Sequence, residues 1–230
     1  MNDLTASDPT PPFIRADIGT VHWECWSQCN LDCPFCFRSI RPHLGTEDAV
    51  QLGERLAQAG VSRIIICGGD PSLRQDLATV VRSYKAQGLE AEVQTNAQKL
   101  TRSLRESLSI VDRVYVSLDG DTPEVHDGMR MARNNFRNVM ELISLCEERG
   151  TPVTVHSVAT ARNSHHLAGL VETVAASPSI DTWTVNRFLA VGAGYRSRTQ
   201  FALSDAAWGD LIGELDTMRL SLASADSRLV

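Results

Sequence analysis

Nowhere in this sequence do 18 apolar residues follow one another, so no membrane-spanning helix is expected. The opening stretch, MNDLTASDPTPPF, has no apolar segment of signal-peptide length, which predicts a cytoplasmic protein without a membrane partner. A basic excess is also missing: 22 Lys and Arg stand against 28 Asp and Glu, a formal net charge of -6. Phosphate neutralisation usually shows as a basic stripe, so no nucleic-acid partner is expected. There is no repeat of fixed period, no low-complexity tract beyond the first dozen residues and no linker that would separate a second domain. These absences exclude a solenoid and argue for one core.

Of the 230 residues, 43% are apolar and 22% charged, ample for a sizeable interior. Residues 1–12 combine Asp, Ser, Thr and three prolines, too little apolar surface to offset the entropy of ordering, and are predicted to be a disordered tail. Residues 13–200 then form the folded unit, and 201–230 a C-terminal helix and tail. Short β-branched runs predict strands at 19–25, 63–67, 90–95, 113–118, 152–158 and 182–188, most of them nearly unbroken apolar stretches. Amphipathic segments between them predict helices at 46–59, 73–87, 101–108, 135–149 and 165–176, with a last one at 204–218. Thr46 and Ser204 suit helix N-caps, and Gly60, Gly88 and Gly150 fall where helices should stop. Strands separated by helices imply a parallel sheet, either doubly wound or curled into a barrel; both place their chemistry at the strands' C-terminal ends.

Cysteine is concentrated. Cys25, Cys29, Cys33 and Cys36 fall within twelve residues, directly after the first predicted strand, while Cys67 and Cys146 stand apart and read as buried thiols. The run CNLDCPFC spaces three thiols as Cys-x3-Cys-x2-Cys. A loop this short can wrap three sulfurs around a cubic iron–sulfur cluster, which leaves one of four irons open and therefore reactive. Two other readings stand beside this one: a zinc site built from all four cysteines, and a closed electron-transfer cluster with Cys25 as the fourth ligand. Against both, Cys25 fits the strand as a small buried hydrophobe.

This loop resembles that of the radical S-adenosylmethionine (SAM) superfamily, Phe35 supplying the aromatic residue before the last cysteine. The resemblance implies that Cys29, Cys33 and Cys36 are the catalytic metal ligands of one 4Fe-4S cluster, whose open iron chelates SAM. It also implies that one electron splits the sulfonium, giving methionine and a 5′-deoxyadenosyl radical that takes hydrogen from the substrate. Later segments resemble the family's cofactor contacts in order. Gly68, Gly69, Asp70 and Pro71 resemble its GGEP turn, with Asp in place of the commoner Glu; QTNA supplies Asn96; SLDG supplies Ser117 and Asp119; and the HD-containing segment that follows supplies Arg130, expected to pair with the SAM carboxylate. Arg133 and Arg137 read as a solvated face, and His126 as local turn chemistry.

The implied fold is a partial (β/α)6 TIM-type barrel, close to the viperin-like and molybdenum-cofactor-cyclase-like branches. The sequence ends after one helix with no further cysteine-rich segment, so a single cluster is expected. Polar residues in and after the fifth and sixth strands, His156, Asn186, Arg187 and Tyr195, are candidate substrate contacts. The expected substrate is a small polar molecule of nucleotide or sugar type, with a ribosomally made peptide as the alternative. A flavodoxin or ferredoxin would be the electron donor.

Overall fold

The computed structural model describes residues 18–38 and 43–225. The tail expected at 1–12 lies outside them. Six strands, β1 (Thr20–Glu24), β2 (Arg63–Cys67), β3 (Glu90–Thr95), β4 (Arg113–Ser117), β5 (Val153–Ala159) and β6 (Ile180–Arg187), form one sheet in the order of the chain. All five pairings are parallel. A doubly wound sheet reverses direction at a switch point, whereas here every crossover steps the same way, so the sheet curls into a partial barrel.

Nine helices accompany the strands among the described residues: α1 (Thr46–Gln58), α2 (Leu77–Ala86), α3 (Arg102–Ser107), α4 (Pro123–Arg130), α5 (Asn135–Arg149), α6 (Ser164–Leu167), α7 (Leu170–Ala176), α8 (Arg198–Phe201) and α9 (Asp205–Ala225). No helix among the described residues is long and apolar enough to cross a membrane. The core lies between sheet and helices. Ile64, Ile66, Val93, Val114, Val116 and Val155 pack there against Val81, Tyr84, Leu104, Leu142 and Leu170.

The other face of the sheet departs from the apolar runs expected. Alternation puts Arg63, Glu92, Tyr115, Arg113, Thr154 and His156 on the concave side. At its base Arg63 pairs with Glu90 at 2.5 Å and Glu92 at 3.3 Å, the Tyr115 hydroxyl donates to Glu92 at 2.6 Å, and Arg113 bridges Thr154 and Asp181. This face is buried at Glu92 and Thr154 and half-buried around them, and it carries polar side chains whose charges are paired.

Several element ends also differ. Thr46 opens α1 and donates to Asp76 Oδ2 at 2.7 Å, while Gly45 takes the cap position. The helix expected from 73 starts at Leu77, after a 3-10 turn at Pro71–Leu73 and an extended Arg74. That guanidinium sits over both Trp23 and Trp26, at 5.5 and 5.6 Å, and bonds Leu44 O and Asp76. The segment at 165–176 is two short helices, and α4 and α8 are additional. Ser204 does cap α9, accepting from Ala207 N at 3.1 Å. Gly60, Gly88 and Gly150 take positive φ where their helices stop.

Candidate active site

The chain leaves β1 and turns across the C-terminal end of β2, backbone against backbone. Gly69 N donates to Trp26 O at 2.7 Å, Asp70 N to Gln28 O at 2.8 Å, and Trp26 Nε1 to Asp70 O at 2.9 Å. The approach is so close that a Cβ on Gly69 would lie 1.9 Å from Gln28 O. Asp70 is fully buried, and its carboxylate accepts from Ser72 N, Asn96 N and Thr95 Oγ1 at 2.8 to 3.1 Å. Burial pushes its pKa up against these bonds. The GGDP turn thereby fixes the segment entering Cys29 and ties it to the turn after β3, and Pro71 begins the 3-10 turn that follows.

Cys29, Cys33 and Cys36 are partly exposed on the loop beyond. Hydrogen-bond donors converge on two of the sulfurs: Leu31 N and Asn96 Nδ2 on Cys29, at 3.4 and 3.3 Å, and Arg38 N on Cys36 at 3.3 Å. Burial pushes the Cys33 thiol up to about 11 and raises Cys29. Cys25 behaves otherwise. It is 1% exposed, packs in the main core, and burial pushes its thiol up to about 12. Phe35 anchors the loop, buried with Met129, Phe188 and Phe201.

At the end of β4, Asp119 is a buried hub. Its N–H donates to His126 Nδ1 at 3.0 Å, its Oδ1 accepts from Val158 N at 2.8 Å, its carbonyl accepts from Asn163 Nδ2 at 2.8 Å, and its Oδ2 meets Arg130 Nη2 at 2.7 Å. The Arg130 guanidinium lies 5.8 Å from the centre of the Phe35 ring, its Nε buried without a hydrogen-bond partner among the described residues. Its carbonyl faces the Cys33 thiol at 3.7 Å. The two side chains expected to meet SAM thus meet each other beside the cysteine loop. Ser117, on the concave face, pairs in register with His156.

His126 is wholly buried, and since its Nδ1 accepts from a backbone N–H, its Nε2 carries the proton to Asn135 Oδ1 at 2.9 Å. Burial, followed by Arg130, pushes its pKa down to about 4 from an ordinary 6.5. Between those values the unfolded chain binds the extra proton, so stability should fall as pH drops through this window, by on the order of 3 kcal/mol for this group alone. His156, lowered by burial and His22, adds the same sign. Urea midpoints measured between about pH 7 and about pH 4 should decline, and less steeply in His126→Gln, with Asp119, Asp127 and Arg130 unchanged around it. Equal slopes in both proteins would place the proton elsewhere.

Of the candidate substrate contacts, His156 and Asn186 share the concave face, His156 5.1 Å from the Tyr115 ring. Arg187 is on the opposite face, its guanidinium bonded to Leu203 O at 2.6 Å and Asp205 at 2.8 Å, and is not brought to the site. Tyr195 is exposed on the 3-10 segment Gly192–Ser197, under the Arg198 guanidinium at 4.2 Å. That segment packs on the cysteine loop, against the carbonyls of Phe35 and Phe37.

Residues 23–172 match the Radical SAM superfamily. The chain belongs to this superfamily. Members use an iron–sulfur cluster and SAM. The chain is similar to an S-adenosylmethionine-dependent nucleotide dehydratase of Lacinutrix mariniflava, 29% identical over 136 residues, covering 51% of this chain and 29% of that protein. It is also similar to a PqqA peptide cyclase of Ruegeria pomeroyi, 28% identical over 156 residues, covering 65% and 42%. In fold it resembles Streptococcus suis SuiB bound to S-adenosylmethionine, with a TM-score of 0.75 at 19% identity over 91% of this chain and 48% of that one. The chain therefore spans less than half the length of each of these proteins.

The residues fit the superfamily's cluster. Among the described residues no three His, Cys, Asp or Glu side chains converge on a point that suits a single ion. A cubane asks for a wider spread, because each thiolate meets a different iron, and N–H groups aimed at the sulfurs suit thiolate charge. Sequence reasoning missed Asn135 and Asn163, wholly buried and bonded to the turns after β3 and β4. Their signal was an asparagine opening one predicted helix and another two residues before the next, positions that read equally as solvated helix ends.

Proposed function

We propose that this radical SAM chain carries a 4Fe-4S cluster on Cys29, Cys33 and Cys36, binds SAM across the strand ends at Ser117, Asp119 and Arg130, and acts on a small polar molecule. The observation that carries this reading is the separation of the cysteines: three on a loop with N–H donors around their sulfurs, and Cys25 withdrawn into the core as a protonated thiol. Three thiolates leave one iron for SAM. When bound, cluster and SAM would supply a 5′-deoxyadenosyl radical that takes hydrogen from the substrate. Phe35 holds the loop in place, the GGDP turn sets its height over the sheet, and Arg130 puts a buried cation beside it. His156, Asn186 and Tyr195 offer hydrogen bonds to a polar substrate on the concave side. A cytoplasmic flavodoxin or ferredoxin would deliver the electron.

A peptide substrate is the second reading. Phe37, Leu189, Val191 and Tyr195 are each more than half exposed, on two segments that pack together at the rim.

Anaerobically reconstituted protein, given dithionite and SAM, should release 5′-deoxyadenosine. Cys33→Ala should release none, and Cys25→Ala should keep its iron. A cluster that produces no 5′-deoxyadenosine leaves an electron carrier, and iron lost with Cys25 refutes the three-ligand set. Nucleosides, sugars and short peptides added in turn, with deuterium transfer into 5′-deoxyadenosine as readout, separate the two substrate readings.

A further inference from the structure

Asn96 was expected to touch SAM, yet every polar group it has is engaged within the chain. Its backbone N donates to Asp70 Oδ2 at 2.9 Å, and its carbonyl accepts from Asn135 Nδ2 at 2.9 Å. Its side-chain Oδ1 accepts from Gln98 N at 2.7 Å, which fixes which end of the amide is oxygen. The NH2 end then points at the cysteine loop, donating to Asn30 Oδ1 at 3.0 Å and to Cys29 Sγ at 3.3 Å. Only 8% of the residue is exposed.

The support continues inward. Asn135, which holds the Asn96 carbonyl, is wholly buried and held by His126 Nε2, and His126 Nδ1 is held by Asp119 N. Asn96 thus stands at the outer end of a chain of buried hydrogen bonds, Asp119–His126–Asn135–Asn96, that runs from the turn after β4 and ends on Cys29 at the half-buried edge of the cysteine loop. A surface asparagine would sample several rotamers. This one is locked at both backbone and amide, which is what a donor needs to keep one distance to a sulfur.

We propose that Asn96 is a positioning residue for the iron–sulfur cluster, setting its reduction potential by an N–H···S bond to Cys29, with Asn135 holding it in place. The inference rests on the cluster assignment above. A donor to a ligand sulfur stabilises the more negatively charged, reduced cluster, so it raises the potential. Removing it should lower the potential and leave the cluster harder for a donor protein to reduce.

The test is a redox titration, by electron paramagnetic resonance, of reconstituted wild-type, Asn96→Ala and Asn135→Ala proteins without SAM, together with iron content and SAM affinity. In Asn96→Ala the ratio of reduced to oxidised cluster at a fixed solution potential should fall by about tenfold, a displacement of about 59 mV for one electron. Asn135→Ala should shift the same way by less. An unchanged potential with weakened SAM binding in Asn96→Ala overturns the proposal and returns Asn96 to the cofactor. If Asn96→Ala holds no iron, Asn135→Ala decides: a lowered potential supports the role, and a wild-type potential overturns it. Wild-type protein that takes up no cluster at all would refute the underlying assignment instead, so the two failures differ.

Discussion

Gly69→Ala should lose its iron as completely as a variant lacking a cysteine ligand, although Gly69 touches no metal. The reason is space alone. Gly69 has no left-handed φ, but its Cβ would stand 1.9 Å from Gln28 O and 2.8 Å from the Ser27 carbonyl carbon, all backbone atoms. No rotamer relieves a clash between main chains. The segment Trp26–Gln28 must lift off the GGDP turn, breaking the bonds from Gly69 N and Asp70 N, and Cys29 follows it. Overpacking typically costs about 1–3 kcal/mol, and a collision with rigid backbone belongs at or above the upper end. Gly60→Ala is the control. Gly60 has φ +85 with nothing within 4 Å of its Cβ position, so that variant should lose only about 1–2 kcal/mol to backbone strain and keep its cluster. Iron and sulfide per chain after anaerobic reconstitution, with melting temperature, measure both. Full iron in Gly69→Ala would mean that the loop's height over β2 does not govern ligation.

How far the sequence could be read depended on the range of the forces involved. β2 and β3 were placed residue for residue, because β-branched and apolar runs are local signals and their ends are set by Gly60, Gly68 and Gly88 close by. The cysteine loop stood out for the same reason, since the three proposed ligands fall within eight residues of the chain. The polar concave face did not. Glu92 reads as a stray charge in a buried strand until Arg63 and Tyr115, far away in the chain, are brought beside it. Asn186 and Arg187 are neighbours in a regular stretch of β6 and must face opposite sides, so only one of them could reach the concave face. Which of the two it is follows from packing: Val155 and Ser157 face the helices and pair with Trp183 and Val185, which leaves Asn186 on the concave side. Asp70 was found by its motif, but its bonds within the chain were not. A carboxylate beside two glycines suggests a ligand, and only the fold reveals that Thr95 and Asn96 occupy it.

Asp119→Ala should lower the melting temperature of the reconstituted protein more than any other exchange outside the cysteine loop and its turn. Two effects combine. Arg130, with its side chain 8% exposed, loses its ion-pair partner, and breaking a buried pair from one side typically costs about 3–5 kcal/mol. Val158 N also loses its acceptor, which loosens β5 where it faces the site. At about 2–4 °C per kcal/mol for a chain of this size, the drop should be on the order of 10 °C. Asp119→Asn should fall in between, since an amide oxygen can still accept from Val158 but brings no charge for Arg130. The double variant Asp119→Leu/Arg130→Leu should recover part of the loss, because removing both charges spares the desolvation penalty of leaving one behind. A double variant as unstable as Asp119→Ala would locate the loss in the bond that Asp119 Oδ1 accepts from Val158 N instead of in its charge. Recovered stability with no binding of SAM would then separate the pair's structural part from the part proposed for it in holding the cofactor.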